Sequence, residues 1–239
     1  MAAFELALRQ GADGIEFDVH LSSDGVPVVI HDARLERTTS GGGFVSDLPV
    51  GVLKRLDAGS WFNRRYPSRA RDRYAGLKIP TLAEALVWSR KRNCQTFVEI
   101  KQSRERYPGI EEKVLEAIRR AGVLTLATII SFDLPTLARI RSIDSRIALG
   151  LDFSRPLLAI RRASSVRAAC LLPHWALATR RSILRAHGAG FRVLVWDVER
   201  PLLMRRKIVD GVDGIITRHP ARLAEVLARN PQITQISPM

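Results

Sequence analysis

The stretch Gly14-Ile15-Glu16-Phe17-Asp18-Val19 alternates apolar and acidic side chains in the pattern of a β-strand. Glu16 and Asp18 are two residues apart, so they share one face of that strand. Glu99 and Lys101 repeat this spacing on the next core strand. In a parallel barrel, neighbouring strands bring such pairs together at the carboxyl-terminal mouth, where active sites are built. The two pairs therefore predict both a fold and the place of its site.

Around this stretch, short apolar strands alternate with helical segments, which is typical of a parallel sheet with helices packed outside it. Seven core strands are predicted, at 14–19, 96–101, 126–131, 146–150, 168–172, 191–197 and 213–217. Helices are predicted at 2–10, 81–92, 110–121, 133–141, 156–163, 178–187, 200–207 and 220–229. A (β/α)₈ TIM barrel has eight strands, each followed by a helix. Because no strand precedes the first helix, the sequence predicts an α/β barrel of this class that lacks its first strand.

The region between the first two core strands carries the largest departure from regular alternation. Residues 33–78 contain a glycine triplet and several prolines and are long for a loop, so we expect an ordered insertion over one barrel mouth. The apolar run 26–31 is interpreted as a hairpin partner or loop strand. Thr81 and Glu84 have the spacing of a helix capping box. No low-complexity linker divides the chain, so a single domain is expected across residues 1–239.

Composition excludes several classes of protein. The 239 residues are 46% hydrophobic, which excludes a disordered chain, and no apolar run is long enough to span a membrane. The N-terminus lacks the basic and apolar regions of a signal peptide. Cys94 and Cys170 lie in separate apolar runs, and two cysteines build no disulfide framework. We therefore expect reduced thiols and a cytoplasmic protein.

The net charge of +14 is less informative about partners. The basic residues, mostly Arg, are scattered along the chain and form no aromatic-interleaved ribbon. Their field favours anionic partners in general, including phosphate esters, lipid headgroups and nucleic acid. We expect a small phosphate-bearing substrate and no specific nucleic acid, and the oligomeric state stays open.

The acidic pairs are the candidate metal ligands. Buried carboxylates are costly unless they bind a cation or are otherwise paired. Glu16, Asp18 and Glu99 together offer the oxygen ligands that Mg²⁺ or Ca²⁺ prefers. The alternative is that these acids are strand-end residues paired with nearby Arg side chains. Lys101 either neutralises charge on a phosphoryl oxygen or forms a salt bridge to these acids, and the two roles are compatible.

Three further side chains have candidate roles, each with a simpler alternative. His31, soon after the acidic pair, suits general acid–base catalysis, whereas a lone histidine is often only a surface loop residue. Trp196 is placed to pack on a glycerol or sugar-like group, or serves only core packing. Ser131 precedes a helix, where capping is favoured over phosphate binding. The other histidines are interpreted as structural, namely His20, His174, His187 and His219.

Together these motifs resemble the glycerophosphodiester phosphodiesterases. The resemblance rests on Glu16-Phe17-Asp18, His31-Asp32 and Val98-Glu99-Ile100-Lys101, and continues to Gly211-Val212-Asp213-Gly214-Ile215-Ile216-Thr217. It implies a (β/α)₈ barrel with an insertion and the hydrolysis of glycerophosphodiesters to glycerol 3-phosphate and an alcohol. It also implies a divalent ion on Glu16, Asp18 and Glu99, with acid–base catalysis by His31 and phosphate contact by Lys101.

The chain also departs from the family pattern. The family opens with a strand carrying H-R-G followed by P-E-N-T, whereas this sequence begins inside the following helix, at Met1-Ala2-Ala3-Phe4. A truncated start and an impaired activity are therefore expected. The alternatives are a catalytically weak phosphodiester-binding protein and a lysophospholipase D-like action, in which Trp61 and Phe62 contact an acyl chain.

Overall fold

The computed structural model describes residues 1–102, 107–155 and 158–229. It groups them into two compact units. The first comprises Met1–Ala2 and Glu16–Ala127, and the second comprises Ala3–Ile15 and Thr128–Met239. The division into units does not test the predicted single domain, which stays a prediction.

The described elements alternate as expected. The strands are β1 (Gly14–Leu21), β2 (Pro27–Val29), β3 (Gln95–Ile100), β4 (Ala127–Ser131), β5 (Ala148–Phe153), β6 (Cys170–Pro173), β7 (Arg192–Val195) and β8 (Gly214–Ile215). The helices are α1 (Ala2–Arg9), α2 (Val50–Leu53), α3 (Ser60–Arg65), α4 (Leu82–Arg92), α5 (Ile110–Ala121), α6 (Leu134–Ile143), α7 (Ala159–Ser165), α8 (Arg180–Gly188), α9 (Pro201–Asp210) and α10 (Pro220–Ala228).

In the first unit, β1 lies between β2 and β3. β2 runs antiparallel to β1, with Val29 opposite Val19, so it is the hairpin partner that the sequence predicts. The Lys101 backbone N–H donates to the Val19 carbonyl at 3.3 Å, just beyond the end of β3. This register sets the acidic face of β1 beside the end of β3.

The insertion at residues 33–78 is ordered and shares an apolar core with the residues that flank it. Six buried side chains form that core: Val28, Ile30, Leu35, Val45, Leu53 and Ile79. The short helices α2 and α3 and three turns of 3₁₀-helix make up the rest of the insertion. The chain then enters α4 through the predicted capping box, in which Thr81 and Glu84 bond reciprocally to each other's backbone N–H.

In the second unit, β4 to β8 follow one another as parallel neighbours. Gly150 of β5 is needed for close packing, because a Cβ there would lie 2.5 Å from Leu172 Cδ1 and 2.8 Å from Cys170 Sγ. The predicted strand 146–150 extends further, to Phe153, and all residues from Leu149 onward are buried. The predicted strand 213–217 shrinks to the two residues of β8.

The predicted helix at 156–163 and the two cysteines can be compared with the described residues. The helix predicted at 156–163 is observed as α7, while residues 156 and 157 lie outside the described part. Cys94 and Cys170 are buried and unbridged. Burial raises the pKa of the Cys170 thiol to about 12. No described helix has the length and apolar character that crossing a bilayer requires.

Candidate metal and phosphodiester site

The two predicted side-chain pairs meet where the middle of β1 lies beside the end of β3. Glu16, Asp18 and Glu99 each offer a carboxylate oxygen, and these oxygens lie within 4.8 Å of one another. Alternation along β1 places Glu16 and Asp18 on the same face, and the register of β3 brings Glu99 beside them. The convergence that the spacing predicts is therefore confirmed as geometry.

Lys101 joins this acidic cluster from the residue after β3. Its Nζ lies 2.6 Å from Glu99 Oε1 and 3.0 Å from Asp18 Oδ1. The side chains of Asp18 and Glu99 are 12% and 10% exposed, so these ion pairs are only weakly screened by solvent. The sequence predicts a salt bridge of Lys101 to Glu99 or Glu16; the structure shows the one to Glu99 and adds one to Asp18, so the ammonium is held at the acidic face.

Burial and neighbouring charges have opposing effects on the pKa values of Glu99 and Lys101. Burial raises the pKa of Glu99 to about 7, with a further rise from Asp18, while Lys101 lowers it. Burial alone would lower the pKa of Lys101, but the carboxylates of Asp18 and Glu99 raise it overall. Three acids and one lysine leave an excess of negative charge that a cation would offset.

The donor set fits a hard divalent cation. All three candidate ligands are carboxylate oxygens, the type that Mg²⁺ and Ca²⁺ bind. The cluster contains no imidazole or thiolate, the ligands that zinc prefers. Their spacing also lets the three oxygens face a common point. The residues present therefore suit an oxygen-liganded ion.

His31 follows β2, and the carboxylate of the next residue holds its imidazole ring on one side. Its Nδ1 lies 2.6 Å from Asp32 Oδ1, and the Arg37 guanidinium donates to both oxygens of Asp32. Hydrogen bonding by Arg37 lowers the pKa of Asp32 to about 2, although partial burial opposes the shift. The ionised Asp32 accepts from His31 Nδ1–H, which places the acceptor lone pair of the neutral imidazole on Nε2.

The backbone of His31 is held by a second histidine. His20 is buried, and its Nε2 lies 3.0 Å from the His31 carbonyl. Burial lowers the pKa of His20, so its neutral ring donates from Nε2 and accepts at Nδ1 from the Tyr107 hydroxyl, 2.8 Å away. The interpretation of His20 as structural is consistent with this arrangement, but its contact with His31 is absent from the sequence pattern.

Trp196 lies in the second unit, just after β7. Its indole Nε1 donates to the Leu172 carbonyl at 2.8 Å, and its ring packs edge-on against Phe132 and His174 at 5.6 and 5.1 Å between centroids. The Phe132 ring is 41% exposed. The three rings form an aromatic surface, and whether it contacts substrate stays a prediction.

One local prediction about this second unit is wrong. Asp133, not Ser131, is the N-cap of α6, and its side chain accepts from the Thr136 N–H at 2.9 Å. Ser131 is buried at the end of β4, and its hydroxyl accepts from the Asp133 N–H at 3.1 Å. Both residue types cap helices well, so the spacing alone did not separate them.

Sequence reasoning missed two residues of the first unit that act on His31. Arg37 and His20 reach His31 through Asp32 and through a backbone carbonyl. Neither has a periodic relation to His31, and Arg37 is one of many arginines in the chain. Only the tandem His31-Asp32 signalled that the imidazole has a neighbouring carboxylate.

The fold and the acidic site define an α/β-barrel protein with a candidate metal centre. The chain belongs to the glycerophosphoryl diester phosphodiesterase family, whose family model matches residues 1–222. Among curated relatives, a glycerophosphodiester phosphodiesterase of Caldanaerobacter subterraneus subsp. tengcongensis is 35% identical over 96% of this chain and 91% of its own length.

Solved structures share the fold of this chain. A phosphodiesterase of Oleispira antarctica, solved with the product sn-glycerol-3-phosphate, is 28% identical, with a TM-score of 0.84 over 95% of this chain and 90% of its own. A putative glycerophosphoryl diester phosphodiesterase of Silicibacter pomeroyi matches with a TM-score of 0.86 at 24% identity, over 95% of this chain and 87% of its own. The predicted barrel class is thereby confirmed.

Proposed function

We propose that the chain hydrolyses glycerophosphodiesters to glycerol 3-phosphate and an alcohol. The observation that carries the proposal is the convergence of Glu16, Asp18 and Glu99 in a chain of this family, with His31 oriented by Asp32 in the same unit. The product found in the related Oleispira antarctica structure supports the choice of substrate.

Glu16, Asp18 and Glu99 would hold a Mg²⁺ or Ca²⁺ ion. When bound, the ion supplies positive charge that offsets the charge of the phosphodiester during an in-line displacement. Lys101 adds a second positive charge at the same face, and its Nζ binds a phosphoryl oxygen while it stays paired with Asp18 and Glu99.

His31 performs the proton transfer in this proposal. The carboxylate of Asp32 holds Nδ1–H, so Nε2 is the atom that gives a proton to the leaving alkoxide or takes one from the attacking nucleophile. His20 keeps the backbone of His31 in place through the 3.0 Å bond to its carbonyl. Trp196, with Phe132 beside it, is our candidate for apolar contact with the glycerol group.

Two further expectations belong to the same proposal. Residues 1–239 act as one catalytic domain, which the family match over residues 1–222 supports. The reaction takes place in the cytoplasm, and the two buried, unbridged cysteines support that placement.

The test is turnover of glycerophosphocholine with Mg²⁺ or Ca²⁺, measured as glycerol 3-phosphate release. We expect turnover that EDTA removes and that Glu16→Ala abolishes, together with loss of ion binding in calorimetry. Glu116→Ala is the matched control, because Glu116 is exposed on α5 and pairs only at the surface with Arg120. Binding of the diester without turnover would instead indicate the phosphodiester-binding protein.

A further inference from the structure

The insertion of the first unit contains an open pocket with a volume of about 400 Å³. Small-molecule sites begin at roughly 300 Å³, so the pocket is large enough for a small polar ligand. Three guanidinium groups and two aromatic rings line it: Arg37, Trp61, Arg64, Arg65 and Tyr66. Its lining contains no carboxylate, which makes it a cationic pocket with apolar walls.

The walls of this pocket are well supported. Asp57 accepts from the backbone N–H groups of Gly59 and Ser60 at 2.8 and 2.9 Å, at the start of α3. The Trp61 indole donates to the Ala58 carbonyl at 3.1 Å. Phe62 packs against the Trp61, Tyr66 and Tyr74 rings, with centroids 5.0 to 5.9 Å apart. The rings are therefore held in place before any ligand arrives.

The three arginines differ in how their charge is used. Arg37 is neutralised by Asp32, to which it donates twice. Arg64 and Arg65 have no carboxylate partner anywhere in residues 1–102, 107–155 and 158–229. The Arg65 guanidinium lies 5.4 Å from the centre of the Tyr66 ring, a cation–π contact that leaves its donors available. The pocket therefore carries about two uncompensated positive charges.

A short chain of contacts connects this pocket to the acid–base residue. Arg37 lines the pocket, donates to Asp32, and Asp32 in turn holds His31 Nδ1. In the proposed reaction His31 protonates the oxygen of the departing alcohol. The Asp32 carboxylate therefore links a residue that lines the pocket, Arg37, to the imidazole that acts on that alcohol.

We propose that this pocket binds the alcohol portion of the diester and selects alcohols that carry a negative charge, such as a phosphomonoester or a carboxylate. The inference rests on the proposed function and names the substrate class of the same site. Arg64 and Arg65 supply charge-assisted hydrogen bonds to the anionic group, and Trp61 and Tyr66 contact its carbon frame.

The experiment compares two diesters that differ by one phosphate. One is glycerophosphoglycerol, and the other is the same molecule with a phosphomonoester on its second glycerol. We expect kcat/KM for the phosphorylated diester to exceed that for glycerophosphoglycerol, whose alcohol portion is uncharged, by about tenfold. Hydrogen bonds to charged groups stabilise a complex by enough free energy to give a ratio of that size or more. Raising the salt concentration should reduce the ratio, since the pocket is open to solvent.

The R64Q/R65Q variant should bring the ratio close to one, because kcat/KM falls more for the phosphorylated diester than for glycerophosphoglycerol. The matched control is R180Q/R181Q, an adjacent pair of exposed arginines on α8 that removes the same charge outside the pocket. The control should keep the wild-type ratio. A ratio near one in the wild-type chain, or equal losses in both variants, overturns the inference.

Failure of the inference and failure of the proposed function give different results. Turnover of glycerophosphoglycerol without preference rejects the pocket assignment alone. If neither diester is hydrolysed, the proposed function fails, and calorimetry with the same two diesters tests the pocket assignment. Tighter binding of the phosphorylated diester that is lost in R64Q/R65Q supports the pocket assignment. Equal binding of the two diesters overturns it. Weaker binding of R64Q/R65Q to phosphatidylglycerol vesicles, with an unchanged diester ratio, would assign these arginines to a membrane surface instead.

Discussion

The acidic cluster on β1 and at the end of β3 and the insertion at residues 33–78 lie in the same compact unit but are built in opposite ways. The cluster consists of acids and a lysine that are mostly buried and positioned by the two-residue period of the strands. The insertion presents arginines and aromatic rings from short helices and turns, and its pocket is open to solvent. Our two proposals assign a division of work to this difference, in which the acidic cluster carries the reaction and the insertion selects the substrate.

The largest expected effect is a loss of turnover in a variant that leaves the residues lining the pocket unchanged. His31→Asn should lower kcat for either diester by about 10²–10⁴, because it removes the group that transfers the proton. The preference between the two diesters should remain, since Arg64 and Arg65 are unchanged. Steady-state kinetics on both substrates measures the two quantities separately.

The matched control is His187→Asn, because His187 also pairs with an aspartate, at 2.8 Å from Asp213, but lies in the second unit. It should leave kcat within about twofold. A loss in His31→Asn no larger than in this control would contradict the acid–base role of His31 and with it the division of work.

The strand ends were predictable from the sequence for a physical reason. A strand alternates its side chains with a period of two, so Glu16 and Asp18 must share a face wherever β1 lies. Parallel neighbours end at the same edge, which is why Glu99 and Lys101 could be placed beside them. The observed oxygens within 4.8 Å and the Lys101 ion pairs agree with that reasoning.

The pocket could not be predicted in the same way. Its lining comes from residue 37 and from residues 61–66, which no period relates and which only the folded insertion brings together. The sequence showed Trp61 and a run of arginines, but scattered arginines elsewhere gave the same signal. The insertion also contributes Leu35, Val45 and Leu53 to a buried apolar core, but none of the pocket residues belongs to that core.

A smaller effect is expected on the stability of the insertion, from a substitution at Gly59. Gly59 is buried at the start of α3, and a Cβ there would lie 1.7 Å from the Tyr74 carbonyl oxygen. Gly59→Ala should therefore destabilise the insertion by about 1–3 kcal/mol, the usual cost of overpacking. Urea unfolding measures that loss, and the diester ratio should fall toward one because α3 carries the pocket.

Gly51→Ala is the control, since a Cβ at Gly51 meets nothing within 4 Å and alanine is the better helix residue in α2. It should be neutral or stabilising by about 0.5–1 kcal/mol. Equal stability of Gly59→Ala and the wild-type chain would show that the insertion yields easily at Tyr74. The pocket could then not be regarded as preformed.

The smallest expected effect lies at Arg37, where the two regions meet. Hydrogen bonding by Arg37 is the main reason that the pKa of Asp32 is about 2 rather than 3.8, so Arg37→Gln should raise it toward the ordinary value. Because the folded-state pKa is depressed, this pair stabilises the fold above about pH 4, and the contribution is lost as the pH falls toward 2. Carboxyl NMR titration of Asp32 measures the shift, with Arg34→Gln as control because Arg34 pairs with Glu36 instead.

Activity tells whether that contact matters to the reaction. Asp32 remains ionised near neutral pH in both proteins, so it still orients His31 Nδ1–H, and Arg37→Gln should lower kcat by only a few-fold through looser positioning. Loss of the diester preference should also be smaller than in R64Q/R65Q, because the charge of Arg37 is already paired with the Asp32 carboxylate. A loss of kcat in Arg37→Gln as large as that in His31→Asn would mean that the insertion takes part in the chemistry itself. The proposed division between reaction at the acidic cluster and selection in the insertion would then be wrong.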